Sequence, residues 1–195
     1  MTGMDVSMEK AALRRLLKKR REGLDEPTWI AYGQAIVERL IAIVDWNHVR
    51  RVHCYIPIEK QNEVSTWPLF HYVWRQWPDI AVAMPGPLRS GEPTAFLIDR
   101  ETEWRPTGAV PRPLVERFVP TNNFDLIIVP MLGFDHNCHR LGYGGGYYDR
   151  LLRRQPLANT VGLSFSCGFV TEGLPHERHD VRLRSVITED QVYTS

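Results

Sequence analysis

The sequence predicts an α/β fold: a mostly parallel sheet flanked by helices on both faces in the three-layer, Rossmann-like manner, with an N-terminal helical hairpin. Two observations carry this. Strand candidates recur at 49–57, 80–84, 126–134, 160–165 and 183–188, the central one an apolar run with β-branched residues, with helical patterns between several of them. The central run, 126–134, leads through a glycine-rich loop into a short helix. In such sheets ligands bind beyond the carboxyl ends of the strands. The loops 58–63 and 140–149 both leave strands at that edge, so they are expected to share one site.

Taken in order, residues 8–23 read as a basic amphipathic helix. Leu13, Leu16 and Leu17 lie near one face, with Lys10, Arg14, Arg15, Lys18, Lys19, Arg20 and Arg21 around the rest. Most of these cations are expected on a solvated face. Lys10 and Arg14, four residues apart, project together and form the pair able to reach an anion site. Asp25 or Pro27 marks a break, and 28–44 makes a second helix with Ile30, Ile36, Leu40 and Ile43 as its apolar side. The first strand, 49–57, precedes the loop 58–63 and a helix over 65–77 with Trp67, Phe70 and Trp74 along one side. Residues 95–98 and 103–105 are expected to pair as a hairpin, and the proline-rich 106–123 to be irregular. In the helix at 147–154, Tyr148, Leu151 and Leu152 fall at i, i+3, i+4. No repeat, low-complexity tract or linker divides the chain, so residues 1–195 are expected to form a single domain.

Composition excludes some partners. Apolar residues make up 43% and charged residues 24%, values of a soluble globular protein. A net charge of +1 gives no reason to expect nucleic acid or an anionic membrane. No apolar run approaches the roughly 18 residues of a membrane span. No apolar leader precedes the first helix, and Cys54, Cys138 and Cys167 show an odd count without metal-ligand spacing. A cytoplasmic protein with reduced thiols is expected.

The most informative stretch is Arg140-Leu141-Gly142-Tyr143-Gly144-Gly145-Gly146-Tyr147-Tyr148-Asp149-Arg150. Its glycines free the backbone to turn N–H groups towards one point, and a helix start adds partial positive charge. Arg140 adds a cation able to grip a phosphate in a bidentate manner, and Asp149 a hard oxygen of the kind that holds Mg²⁺. No Lys-Ser or Lys-Thr follows the glycines, which excludes a Walker A loop, and Tyr147 stands where a dinucleotide fingerprint needs a third small residue. Read by their glycines alone, these residues fit an ordinary strand-to-helix turn as well as a phosphate loop.

Other chemistries are poorly served. His176 and His179 are three apart and follow a proline, whereas a zinc-binding helix needs histidines four apart. His136, Cys138 and His139 lack a fourth ligand nearby. No Gly-x-Ser-x-Gly elbow is present. Asp180 lies in a loop before the last strand; by itself it reads as a turn or capping residue, although a carboxylate there could face the ligand edge.

The complete string from Arg140 to Asp149 resembles that of the 5-formyltetrahydrofolate cyclo-ligase family. So do Lys10-Ala11-Ala12-Leu13-Arg14 (the family's Lys-x-x-Leu-Arg opening), Glu63-Val64 with Thr66, and Asp180 before the last strand. The resemblance implies that Lys10, Ala11, Ala12, Leu13 and Arg14 touch the phosphates of ATP. Arg140, Leu141, Gly142, Tyr143, Gly144, Gly145, Gly146, Tyr147 and Tyr148 would wrap the nucleotide, and Asp149 with Asp180 would hold Mg²⁺. Ile58, Glu63, Tyr143, Gly144, Gly145, Gly146 and Tyr147 would contact the folate, Glu63 by hydrogen bonds to the pterin edge. Lys10, Arg14 and Arg140 would be the catalytic cations. The implied reaction is ATP-dependent closure of 5-formyltetrahydrofolate to 5,10-methenyltetrahydrofolate, with release of ADP and phosphate. The expected partner is this small-molecule folate alone, the protein acting as a monomer. One departure stands out: where the family often carries Gly-Ile-x-Glu-Pro, this chain has Ala109-Val110-Pro111-Arg112-Pro113, which reverses a charge beside the expected folate pocket. Alternatives are an ATP-dependent enzyme of the same fold on another substrate, or a non-catalytic nucleotide-binding module, for which Asp149 and Asp180 would not be required.

Overall fold

The computed structural model describes residues 3–195, with side chains from Val6 onward; residues 1 and 2, part of the expected single domain, lie outside it. Among the described residues the helices are α1 (Gly3–Glu22), α2 (Glu26–Ile43), α3 (Trp67–Gln76) and α4 (Tyr147–Arg153). The strands are β1 (Arg51–Cys54), β2 (Ala81–Pro85), β3 (Ala95–Ile98), β4 (Trp104–Arg105), β5 (Arg112–Pro113) and β6 (Phe118–Val119). They continue with β7 (Leu126–Pro130), β8 (Gly133–Phe134), β9 (Arg140–Leu141), β10 (Asn159–Leu163), β11 (Ser185–Ile187) and β12 (Val192–Thr194).

The main sheet has the order β12-β11-β10-β7-β1-β2-β3-β6. From β2 to β11 its neighbours pair in parallel, while β3, β6 and β12 add antiparallel edges. Residues 126–129 of β7 are fully buried, as a strand covered on both faces requires. The chain leaves β1 to pair β2 on one side and returns as β7 on the other. That reversal makes a topological switch point, with a crevice beyond the carboxyl ends of β1 and β7.

Helices α2 and α3 cover one face, where Ile36, Val37 and Leu40 meet Leu69, Phe70 and Val73 over Val52, Cys54 and Ile128. Helix α4 covers the other through Leu151 and Leu152, packed with Ile127, Val129 and Val186. The Asp25 carboxylate caps α2 by accepting from the Thr28 amide at 2.8 Å, with Pro27 in the first turn, as the break at this point predicts. The two opening helices are present but divide their work. Helix α1 crosses the carboxyl edge of the sheet, its Leu17 packed among Leu132, Leu141, Val170 and Leu174. The carbonyls of Arg21 in its last turn and of Leu24 just beyond it accept from Asn62 Nδ2 at 3.3 and 3.1 Å, which fastens its end to the loop after β1.

Several local expectations are corrected. Ala95–Ile98 pairs with β2 and β6 instead of with 103–105. Trp104–Arg105 pairs with Arg112–Pro113, so 106–123 carries two short strands; two-residue ladders at an edge tolerate proline and leave almost no periodic signal. The 126–134 run is not one strand. Pro130 ends the parallel ladder, and a small β8–β9 hairpin precedes the glycine loop. Its turn is held by Asp135, which accepts from the amides of Asn137 at 2.9 Å and His139 at 3.0 Å. Ile30 and Ile43, assigned to the apolar side of the second helix, are exposed, and the buried side is Ile36, Val37 and Leu40. Arg21 is not on a solvated face, being only 5% exposed, and Lys10, expected to reach inward with Arg14, is 7% exposed.

Candidate active site

Two cavities open at the switch point. The first, about 220 Å³, is lined by Lys10 and Arg14 from α1, by every residue from Arg140 to Asp149, and by Asp180. The second, about 250 Å³, is lined by Tyr55, Ile56, Ile58 and Glu63 after β1, by Met84 to Pro87 at and just past the end of β2, and by Val110 and Arg112. Pro130, Tyr143 and Tyr148 line both and form the wall between them. Distant segments thus come together at one edge, but not every expected contact lines its cavity. Gly144, Gly145, Gly146 and Tyr147, expected against the folate as well as the nucleotide, line only the charged cavity. Ala11, Ala12 and Leu13 are not among the lining residues; Leu13 turns inward onto the Leu17 cluster, because only every third or fourth helical residue faces the cavity.

The charged cavity is internally neutralised. Lys10 Nζ donates to Glu177 Oε2 at 2.8 Å and to Asp180 Oδ2 at 2.5 Å. Burial pulls the Lys10 ammonium down, but the hydrogen bonds and charges of Asp180 and Glu177 outweigh it and leave its pKa raised. Burial pushes Asp180 up; the Lys10 hydrogen bond and the Glu177 amide, 2.8 Å away, prevail, and its pKa is lowered. Arg140 donates through Nη2 to Asp149 Oδ1 at 2.6 Å and through Nη1 to the Val181 carbonyl. Asp149 Oδ1 also accepts from the Val181 amide at 3.2 Å. Each expected metal-binding carboxylate thus carries its own cation, with the ion pairs at the cavity lining. Asp149 and Asp180 present hard oxygens to one cavity, a donor chemistry that fits Mg²⁺. Glu177 and His179 join Asp180 in a cluster whose ligand atoms lie within 4.8 Å, the carboxylates being those held by Lys10.

The glycine loop is shaped around Arg14. Arg14 Nε donates to the Gly142 carbonyl at 2.9 Å, and a Cβ on Gly144, whose φ is +94°, would sit 3.4 Å from the guanidinium carbon. Gly146 takes the left-handed conformation (φ +66°) at the start of α4, where a Cβ would come within 2.8 Å of Arg150 Nη1. Tyr147 is anchored rather than free: its hydroxyl donates to the Thr94 carbonyl at 2.6 Å, and His53 Nε2 lies 3.2 Å from it. His53 is buried, which lowers its pKa to about 3 and keeps the imidazole neutral. The Tyr148 hydroxyl is buried without a hydrogen-bond partner.

In the second cavity Glu63 is 3% exposed, and its Oε2 accepts from the Ile58 amide at 2.6 Å. Its other oxygen accepts from the Tyr143 hydroxyl, which in turn accepts from Arg21 Nη2 at 2.7 Å. Burial and the neighbouring Glu63 charge push the Tyr143 phenol far above its ordinary range. The loop carrying Arg112 borders this cavity, as its place in the sequence suggested. Sequence reasoning missed Arg21 and Glu177. For Arg21 a signal existed: Lys10, Arg14, Leu17 and Arg21 fall at i, i+4, i+7 and i+11, one stripe of a helix. Glu177 gave none, since its partner lies 167 residues away.

Fold and site together define a class: α/β proteins that seat ligands at a switch point, here with a charged compartment beside an apolar one. The family model described as the 5-formyltetrahydrofolate cyclo-ligase family matches residues 6–189. The chain is 27% identical over 183 residues to the 5-formyltetrahydrofolate cyclo-ligase of Escherichia coli (strain K12), covering 91% of this chain and 99% of that one. It is 26% identical to the Mus musculus enzyme of the same name, over 97% of this chain and 98% of the other. Its structure resembles the NMR structure of Aquifex aeolicus 5,10-methenyltetrahydrofolate synthetase with a TM-score of 0.80, at 26% identity, over 95% and 92% of the two chains. The chain belongs to the 5-formyltetrahydrofolate cyclo-ligase family, a family of enzymes.

Proposed function

We propose that this protein closes 5-formyltetrahydrofolate to 5,10-methenyltetrahydrofolate at the expense of ATP, releasing ADP and phosphate. The observation that carries the reading is the pair of adjoining cavities: one bearing Lys10, Arg14, Arg140, Asp149 and Asp180 around a glycine loop, the other apolar with one buried carboxylate, both walled by Tyr143 and Tyr148. The first has the chemistry for a triphosphate and the second for a flat, partly polar heterocycle, and the shared wall lets their reactive ends meet.

In this reading the formyl oxygen attacks the γ-phosphorus and ADP leaves. N10 then attacks the formyl carbon and gives up its proton to solvent, and the oxygen departs with phosphate. The substrate brings its own nucleophile, so the protein needs no activated serine or cysteine; its task is to position the reactants and stabilise charge. Arg14 and the amides around Gly144 to Gly146 hold phosphate oxygens, with Lys10 and Arg140 supplying further positive charge. Glu63, kept in place by the Ile58 amide and Tyr143, accepts hydrogen bonds from the pterin edge. Asp149 and Asp180 would hold Mg²⁺, which when bound screens the phosphate charge. The natural setting proposed is the cytoplasm, with the protein acting as a monomer; no helix among the described residues is long and apolar enough to cross a membrane.

The test is growth of the methenyl chromophore from 5-formyltetrahydrofolate with ATP and Mg²⁺ added singly and together. Growth that needs both supports the proposal. Binding of MgATP without any chromophore would turn the reading towards a nucleotide-binding module.

A further inference from the structure

Arg21 lines neither ligand cavity, yet it is 5% exposed and committed on both nitrogens of its fork. Nη2 donates to the Tyr143 hydroxyl at 2.7 Å and Nη1 to the Met131 carbonyl at 3.3 Å. The Tyr143 hydroxyl donates its own hydrogen bond to Glu63, which also accepts from the Ile58 amide. One chain of hydrogen bonds therefore runs from the far end of α1, through the wall between the cavities, to the carboxylate of the apolar one.

Three facts make this more than a surface cation folded inwards. Tyr143 sits in a loop whose glycines at 142, 144, 145 and 146 offer little intrinsic rigidity, so its ring needs an external anchor. Glu63 is a buried carboxylate, costly unless compensated, and the Arg21 cation stands one hydroxyl away. Arg21 is itself fixed, by the Met131 carbonyl just beyond β7 and by α1, whose Leu17 packs over Leu132 and Leu141. We infer that Arg21 is a positioning residue: through Tyr143 it sets the orientation of Glu63 and fixes the wall against which the two substrates meet. This rests on the function proposed above, and extends it to a residue that touches neither substrate.

Steady-state kinetics of Arg21→Met, Arg21→Lys and Tyr143→Phe test it, with thermal midpoints taken alongside. In Arg21→Met the KM for 5-formyltetrahydrofolate should rise about tenfold or more, the worth of a buried charge-assisted hydrogen bond. The KM for ATP should stay within about twofold, because Arg14 and the glycine amides are untouched. Arg21→Lys, which still presents a cation, should recover part of the loss. In a Tyr143→Phe background the Arg21→Met change should add little to the folate KM, since residues acting through one hydroxyl are not additive. A lowered midpoint with an unchanged folate KM, or full additivity of the two substitutions, overturns the inference and leaves Arg21 a plain structural residue. If Arg21→Met does not fold, Arg21→Gln replaces it with the same expected shift. A wild-type protein that forms no chromophore overturns the proposed function, and this inference with it; wild-type turnover with unmoved constants in the variants overturns the inference alone.

Discussion

The two cavities at the carboxyl edge share a wall and differ in how they are built. The charged one is assembled from the most distant parts of the chain: Lys10 on α1, Arg140 and Asp149 around the glycine loop, Asp180 before β11. Two of its cations are paired with carboxylates, Lys10 with Asp180 and Glu177 and Arg140 with Asp149, while Arg14 is held by the Gly142 carbonyl. The apolar one comes chiefly from segments that follow β1 and β2, and its floor of Tyr55, Ile56 and Met84 is continuous with the core. The contrast teaches that a triphosphate site and a heterocycle site ask for different support. Charges must be held apart from the core and neutralised until a ligand arrives, whereas an apolar pocket needs only an opening in packing that already exists.

Four substitutions or conditions would break or sharpen that contrast. The largest effect is expected from Asp149→Asn, which removes a carboxylate from the charged cavity while keeping its shape. Turnover should fall about a hundredfold or more, the scale of damage to metal-site partners. Circular dichroism should remain that of the folded protein, and undiminished turnover would take Asp149 out of the metal-binding role. Next, Lys10→Ala should raise the KM for ATP by roughly ten- to a hundredfold, the range for a charge-assisted contact. If the folate KM moved instead, α1 would belong to the other compartment and the contrast would fail.

A smaller effect is expected from Arg112→Glu at the rim of the apolar cavity. The KM for 5-formyltetrahydrofolate, whose far end carries carboxylates, should rise several-fold and become less sensitive to salt, as for an exposed charge. No change in either would leave Arg112 outside the substrate's path. The smallest concerns pH and stability. Asp180 has a lowered pKa, so its contribution is present above the ordinary value of 3.8 and is lost as pH falls through the folded value. Lys10 has a raised pKa, so its contribution is present below the ordinary 10.5 and is lost as pH rises through the folded value. The melting temperature should therefore owe nothing to this pair's titration between those limits, and Lys10→Ala should flatten part of the fall at each extreme. A wild-type curve matching that of Lys10→Ala at both ends would show that the pair contributes no linkage.

How much was legible in the sequence follows from how far apart the causes lie. Strands β2 and β7 were visible because burial on both faces writes an unbroken apolar run, and β1, β10 and β11 because short stretches rich in Val, Ile and Leu recur at the spacing of strands. Helix α3 was visible because Trp67, Phe70 and Trp74 keep helical spacing onto one cluster. The strands β5, β6 and β12 were not, and β4 was visible at 103–105 but given the wrong partner, since two or three residues at an edge are decided by the neighbour they pair with. The break after Pro130 hid inside an apolar stretch, and the hairpin that follows turns through Cys138 at a positive φ (58°) that its residue type does not advertise. The glycine loop, Arg14 and the two aspartates could be chosen as a set only through the family resemblance, and the ion pairs of Lys10 and the burial of Arg21 could not be read at all.

What the sequence by itself determined is the alternation that builds a parallel sheet and the identity of the charged and glycine residues at its edge, because periodicity and residue chemistry are local properties. What only the tertiary structure decided is which charges face which. A basic helix reads as solvated until its partners, up to 170 residues away, arrive beside it. Coulomb attraction and desolvation depend on distance in space, and the chain order does not encode that distance.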